Sequence, residues 1–502
     1  MMELLVIIIS LVLFTYTAVK LVRGNKKSSN VIPGPKKFPL IGNLHLLMGK
    51  SLPHHVFREL AVKHGGLMRL QLGQVPFLIV SSVEVAKQVY RTHDITFSNR
   101  FPTLVASMLS YNYKDVAVAP YGEHWRQVRK VCTLELLSAR RVKSFRPIRE
   151  EENLNFAKSI AAAAATGSPV NLSEKLRVNF FDIITRSSVG DKSEEKEKFT
   201  QAMDETLKLS SGLSSVDLFP SLRFLPVITG IKFKLKRIFW LTDGILQRII
   251  DRHRIADDGR SEDLVDVLLK YQRTDAEFHL TDDDIKAVIL DMFFGGSETS
   301  ATTVGWAMSE MVKNPRTLKR AQDEVRQVFD SKNSSYVDEA KFGELKYLKL
   351  VIDETLRMHP ALPLLVPRMS SERCEINGYE IPANTRVLIN AWAMGRDPKY
   401  WNDAEKFIPE RFEDTSIDYK GNHFEYVPFG SGRRICPGIS MGLTNVEFTL
   451  ATLLYHFDWE MPSGIKNEAL DMTEAFGVTA ARKHDLLLFP TLARALPTTF
   501  NR

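Results

Sequence analysis

PFGSGRRICPG, residues 428–438, sets one cysteine among three glycines and two adjacent arginines. Cys436 has no cysteine near it, because the chain holds only Cys132 and Cys374 besides, both far away in sequence. That excludes a CxxC redox pair and a disulfide framework, and it fits a reducing compartment. No run of Cys or His at zinc-ligand spacing surrounds it. A free surface thiol and a Cys–His nucleophile are the alternatives, and the second lacks a matching His motif. Immediately downstream, GISMGLTNVEFTLATLL reads as an apolar helix starting near Gly438, so its positive end faces Cys436.

Moving outward, PERF (409–412) places Arg411 on a loop, and ETLR places Glu354 and Arg357 at i, i+3 on one helix face. WRQVR places Trp125 and Arg129 at i, i+4. Each alone is ordinary surface pairing or packing, worth a few tenths of a kcal/mol. The clearest helix runs from Thr281 to about Lys313: Thr281 caps it, with Asp284 in a capping-box arrangement, and Asn314-Pro315 closes it. Its middle, FFGGSETSATT, is odd for a core-crossing element, since Gly295 and Gly296 each cost about 1 kcal/mol relative to alanine. One reading is two close-packing glycines with back-bonded hydroxyls. The other is a helix loosened to admit a small ligand, with an acid and an alcohol beside it.

Strand signals are few. LMRLQLG with PFLIVSS (67–82) predicts a hairpin, CEINGYEIP (374–382) carries an Asn377-Gly378 turn, and TRVLINA (385–391) is a third strand. AAAAATGSPVN (161–171) reads as a helix end and a turn, and DKSEEKEKF (191–199) as a solvated face. The expected body is mainly α with a small β region.

The amino-terminal segment sets the location. Leu4 to Val22 is predominantly apolar and as a helix spans roughly 28 Å, about one hydrocarbon core. Only Glu3 precedes it, whereas Arg23, Lys26 and Lys27 follow, so a signal anchor with everything downstream in the cytosol is expected over a cleaved signal peptide. The expected organisation is a membrane anchor at 1–22, a basic Pro/Gly-rich neck at 23–43, and one catalytic domain at 44–502. Net charge is +7, but six lysines and arginines against Glu3 put +5 of it within the first 37 residues. The excess therefore faces lipid headgroups, and nucleic acid is not expected as a partner. FLPVITGIKFKLKRIFW (224–240) is an amphipathic stretch that reads either as a membrane contact or as an ordinary surface helix.

Taken in order, residues 125–129, 295–300, 354–357, 409–412 and 429–438 resemble the cytochrome P-450 haem-thiolate monooxygenases, over nearly the whole chain. The most specific element is Phe429-x-x-Gly432-x-Arg434-x-Cys436-x-Gly438. LDMFFGGSETSATT, VDLFPSLRFL and YVPFGSGRRICPG resemble more closely the plant microsomal members that oxidise terpenoids and related specialised metabolites. Gly295 stands where alanine is commoner.

The resemblance implies haem b (iron protoporphyrin IX) with Cys436 as the axial ligand to iron. It gives Phe429, Gly432 and Gly438 to the ligand loop, where glycines let backbone approach the ring, and Trp125, Arg129, Arg368 and Arg434 to the haem propionates. It makes Glu354, Arg357 and Arg411 a buried structural cluster and Glu298-Thr299 the proton-delivering pair. It lines the substrate pocket with Met108, Leu109, Phe293, Leu364, Leu365, Val366, Phe476 and Val478. No flavin or dinucleotide fingerprint is present, so electrons are expected from NADPH through a separate cytochrome P-450 reductase on the endoplasmic reticulum membrane. Arg126, Lys130 and Arg433 are candidates for meeting its acidic face. The expected activity is O2-dependent hydroxylation of an apolar plant metabolite, a terpenoid first, with phenolic, coumarin or alkaloid substrates as the alternative. A haem sensor or electron carrier is the reading from another class.

Overall fold

The computed structural model describes residues 31–497 apart from residue 50 and the short segments 191–195, 211–213, 256–261, 275–277, 331–335 and 463–465. The expected membrane anchor lies outside the described residues, among which no helix is long and apolar enough to cross a membrane. From Val31 to Lys37 the neck is non-helical, as its prolines require, and Pro33 accepts a hydrogen bond from the Arg69 amide at 2.8 Å.

Helices dominate. Those that place the site are α1 (Pro53–His64), α2 (Leu104–Leu109), α3 (Glu123–Val131), α4 (Arg146–Ala165), α5 (Leu172–Val189), α6 (Lys196–Leu209) and α7 (Ile231–Ile255). After them come the central helix in two parts, α8 (Asp282–Phe293) and α9 (Thr299–Lys313), then α10 (Pro315–Asp330), α11 (Lys346–Met358) and α12 (Ile439–His456).

The main sheet has β1 (Leu67–Leu72) and β2 (Val75–Val80) as the expected hairpin, with β3 (Arg368–Met369) and β4 (Arg386–Ile389) beside them in the order β1-β2-β4-β3. Strand β4 pairs parallel to β2, Phe77 opposite Arg386, across more than 300 residues of sequence. Cys374–Ile376 and Tyr379–Ile381 form the second hairpin, with Asn377 and Gly378 at positive φ as the turn demands.

The central helix carries the expected Thr281–Asp284 capping box. It does not run unbroken. Between α8 and α9, Phe294–Glu298 widens into a π turn, where the glycines that weaken the α form lie. The two glycines differ, and close packing holds for Gly296 alone. A Cβ on Gly296 would stand 2.5 Å from Ile184 Cδ1, so that glycine is a close-packing contact with α5, whereas a Cβ on Gly295 meets nothing within 4 Å. Beyond the turn α9 is buried along nearly its whole length, packed between α5, α11 and α12. The π turn thus falls where the helix leaves the apolar core and borders a cavity.

Candidate active site

The cavity, about 540 Å3, lies between the π turn on one side and the loop carrying Cys436 on the other. Its Cys436 face is built by turns rather than by a helix. Gly430 and Gly432 take φ of +70° and +71°, and the Cys436 amide donates to the Phe429 carbonyl at 3.0 Å, folding the loop back on itself. Gly432 departs from its expected role: it does not reach the cavity, and its missing side chain makes room for Asp94, whose Oδ1 would lie 2.3 Å from a Cβ. Asp94 also accepts from the Arg433 amide at 3.2 Å. Gly430 and Gly438 do line the cavity, as do Phe429, Arg434 and Cys436.

Gly438 caps α12, and its amide donates to the Cys436 sulfur. Burial is the largest effect on the thiol and leaves it raised, but this helix end favours the thiolate as expected: the Gly438 amide draws the thiol down, as does the Arg129 guanidinium. An anionic sulfur here calls for a stronger positive partner than peptide N–H groups.

Four guanidiniums converge on the cavity: Arg100, Arg129, Arg368 and Arg434. Arg434 donates to the carbonyls of Ser98 (2.8 Å), Val116 (3.2 Å) and Ala119 (2.5 Å). Arg129 donates to Ile435 (2.6 Å), and Arg368 to Ser431 (2.9 Å) and Phe97 (3.2 Å). Arg100, which the sequence reading missed, donates to Val366 (2.7 Å) and Pro367 (2.8 Å). Burial lowers all four, Arg434 to about 9, and repulsion from Arg368 adds to the effect at Arg100 and Arg434. Trp125 is not on the wall as expected. Its indole donates to the Val116 carbonyl at 3.0 Å, and its ring lies 4.1 Å beneath the Arg434 guanidinium as a brace. The neighbouring acids are weakened: burial raises Asp94, and raises Asp115 to about 6. The cluster therefore keeps an excess of positive charge directed at one edge of the cavity, which suits a ligand bearing two carboxylates.

Behind the thiol loop the expected structural cluster is complete. Glu354 takes Arg357 through two bonds of 2.6 and 2.8 Å and Arg411 through one of 2.9 Å, and Arg357 also donates to the carbonyls of Gly395 and Ala404. Glu354 and Arg357 have no exposed side-chain surface.

On the opposite face, Thr299 lines the cavity and donates to the Gly295 carbonyl at 2.6 Å. Glu298 stands behind the wall. Burial raises its carboxyl, Arg177 draws it down, Asp204 raises it, and Thr479, itself on the wall, draws it down. Asp291 and Asp115 were also missed. Asp291 faces the cavity and holds the amides of Val116 and Ala117 at 2.7 and 3.2 Å, pinning that loop to α8.

Of the expected pocket residues, Leu109, Leu364, Leu365, Val366, Phe476 and Val478 line the cavity. Met108 and Phe293 do not. Met108 is one position out of phase with Leu109 and packs into the apolar core. Phe293 points towards α5 and α6, its ring 5.4 Å from Phe181 and 4.7 Å from Phe199, and Phe294 takes the place on the wall.

The residues present fit a haem: a sulfur ligand on one wall, a cationic edge for two propionates, and an apolar slot between. Comparison with known proteins agrees. The family model described as Cytochrome P450 matches residues 32–489. The chain is 50% identical over 494 residues to desmethyl-deoxy-podophyllotoxin synthase of Sinopodophyllum hexandrum, covering 97% of this chain and 96% of that one. It is 48% identical over 486 residues to premnaspirodiene oxygenase of Hyoscyamus muticus, covering 95% and 96%. A zebrafish cytochrome P450 solved with progesterone shares the fold, with a TM-score of 0.77 and 24% identity over 88% of this chain and 100% of that one. With Cys436, its glycine turns and the arginine edge in place, the chain belongs to the cytochrome P450 family of haem-thiolate monooxygenases.

Proposed function

We propose that this monooxygenase hydroxylates a neutral, apolar plant specialised metabolite, a terpenoid or terpenoid-derived skeleton first, with Cys436 as the iron ligand. Haem held at Cys436 supplies the activation of dioxygen and its transfer to carbon. The chain's own residues do the rest. Arg100, Arg129, Arg368 and Arg434 orient the propionate edge, and Thr299 with Glu298 holds and hands on protons at the distal wall.

One observation carries the substrate class. The cavity hydroxyls of Ser110, Thr206 and Ser210 donate to carbonyls of their own turns, at 2.7, 2.8 and 2.7 Å, so beside the aliphatic wall of Leu109, Leu364, Leu365 and Val366 these three donors are already engaged. Burial of apolar surface, at about 25 cal/mol per Å2, is then the main source of affinity. Electrons come from NADPH through a membrane-bound reductase that meets the exposed Arg126 and Lys130 of α3. The proposed setting is the endoplasmic reticulum membrane, with the catalytic body facing the cytosol. Microsomes containing the enzyme and reductase are tested by ligand-induced Soret shifts and NADPH-dependent turnover across terpenoid, phenolic, coumarin and alkaloid panels. Productive turnover is expected from the terpenoids; turnover confined to the other classes rejects the substrate assignment.

Thr299→Ala is expected to leave haem incorporation intact while product formed per NADPH falls about tenfold, the loss of one positioned proton donor. Unchanged stoichiometry removes Thr299 from the proton route.

A further inference from the structure

Apart from the cavity floor, five titratable side chains from four segments meet in one cluster. His54 and His55 open α1, Glu310 lies on α9, His359 follows α11, and Glu474 comes from the carboxy-terminal loop. Glu474 Oε2 accepts from His54 Nε2 at 2.6 Å and from His55 Nε2 at 3.1 Å. His359 Nε2 bonds to Glu310 Oε1 at 2.7 Å, and its Nδ1 lies 4.0 Å from Glu474 Oε1. His54, Glu310, His359 and Glu474 are all buried, and His55 alone reaches solvent. Trp306 stacks on His359 at 4.2 Å, nearly parallel, and its indole donates to the Ala480 carbonyl at 2.7 Å.

Burying two carboxylates costs several kcal/mol before their bonds are counted, so such a cluster is weak evidence of stability alone. Its position in the chain gives it a use. Glu474 precedes Phe476, Val478 and Thr479, and His359 precedes Leu364, Leu365 and Val366, all of them on the cavity wall. The two wall segments are tied together where they leave the cluster, the Ala480 amide donating to the Ala361 carbonyl at 2.9 Å. Thr479 stands near enough to Glu298 to draw its carboxyl down.

We propose that the His54–Glu474 pair, backed by His359–Glu310, positions the 476–479 wall and so acts as a specificity-determining device, setting how much room a ligand has above Thr299. Of the five side chains only His54 borders the cavity, beside Pro53, and none of the imidazole or carboxylate groups is required to touch a ligand. The inference rests on the haem-thiolate site and not on the identity of the substrate.

The test uses full-length holoenzyme in membranes and two iron-coordinating probes of different bulk, imidazole and 4-phenylimidazole, titrated by their Soret shifts. In His54→Ala the dissociation constant for 4-phenylimidazole is expected to change about tenfold while that for imidazole stays within about twofold, since displacing a wall by about 1 Å is felt only by a ligand that touches it. His54→Gln, which keeps an N–H donor for Glu474, is expected to restore the native ratio. Glu474→Gln, which keeps the shape and removes the charge, is expected to shift the ratio as His54→Ala does. A ratio unchanged in His54→Ala, with or without a smaller fraction of carbon-monoxide-binding protein, overturns the proposal, because a purely structural role moves both probes equally. If wild-type protein turns over no terpenoid yet the probe ratio shifts as expected, the substrate assignment fails and the positioning device stands.

Discussion

Arg357 shows what a single residue contributes when its whole environment is built around it. Its guanidinium has two bonds to Glu354 and three to backbone carbonyls, and the ring of Trp401 lies 5.3 Å away. Removing it leaves Glu354 charged and buried with only Arg411 and the Ile408 amide as partners. Arg357→Ala is expected to cost about 3–5 kcal/mol and to appear as apoprotein or aggregate, with Arg357→Lys only partly restoring haem content because one ammonium cannot match the paired geometry. Native haem content in Arg357→Ala would show that the cluster is dispensable. This cluster was legible only through the family resemblance, since each of its short motifs alone reads as ordinary surface pairing. So was Cys436. Arg100 and Asp291 were not legible, because each acts on a loop that folding alone brings to it; nothing in SNRFP says that Arg100 will take the carbonyls of residues 366 and 367, and nothing in LDMFF that Asp291 will hold the amides of residues 116 and 117.

At the scale of the element, the central helix separates what periodicity can and cannot tell. A capped helix from Thr281 to Lys313 was readable, and so was the weakness at Gly295-Gly296, but the π turn changes the phase of every side chain near it. The resemblance put Phe293 in the pocket, and Phe294 occupies that place. The two glycines give opposite predictions. Gly296→Ala drives a methyl into Ile184 and is expected to destabilise by about 1–3 kcal/mol, partly relieved by Ile184→Val, which deletes the clashing Cδ1. Gly295→Ala is expected to keep or slightly raise stability, by up to about 1 kcal/mol, while its methyl narrows the cavity and weakens the bulkier ligands. Thermal unfolding and Soret titration of both variants check the contrast, and equal stability losses would place Gly295 against a wall it does not touch.

Helix α12 carries a pH prediction. Burial raises Glu447 to about 7, its Oε1 has no hydrogen-bond partner, and Lys349 stands 3.8 Å off. The folded state therefore keeps a proton that the unfolded chain releases near pH 4, so stability falls as pH rises from about 4 to 7 and then levels. Glu447→Gln removes this dependence. Its melting temperature should exceed that of the wild type by an amount that grows from pH 5 to pH 8, reaching the equivalent of about 2 kcal/mol. A gap that shrinks over that range contradicts the assignment.

Over the whole molecule, exposed apolar side chains collect where the neck meets the body. Phe38 and Leu40 are exposed beside the β1–β2 turn, and that turn joins two segments: the Gly73 amide donates to the Ile41 carbonyl at 3.1 Å, and the Gln74 amide to Leu218 at 2.9 Å. From Leu218 the chain runs directly into Phe224, Val227 and Ile228, exposed in their turn, and on to Phe233 and Trp240 of α7. The sequence left 224–240 open between a membrane contact and an ordinary surface helix, since periodicity does not reveal which apolar residues lack a partner. Folding joins that stretch to the neck, and a patch beside the segment expected to anchor the chain has an apolar phase to enter. If the body rests on the bilayer in this way, removing residues 1–22 should weaken membrane attachment without abolishing it. Truncated protein is expected to co-sediment with phosphatidylcholine–phosphatidylserine vesicles, and Phe224→Ser, Ile228→Ser and Phe233→Ser together should lower that binding about tenfold or more, given about 25 cal/mol per Å2 of apolar surface inserted. The carbon-monoxide spectrum should be unchanged in both proteins, since none of the three side chains lines the cavity. Truncated proteins that bind vesicles equally well with and without the three serines would return this face to ordinary surface.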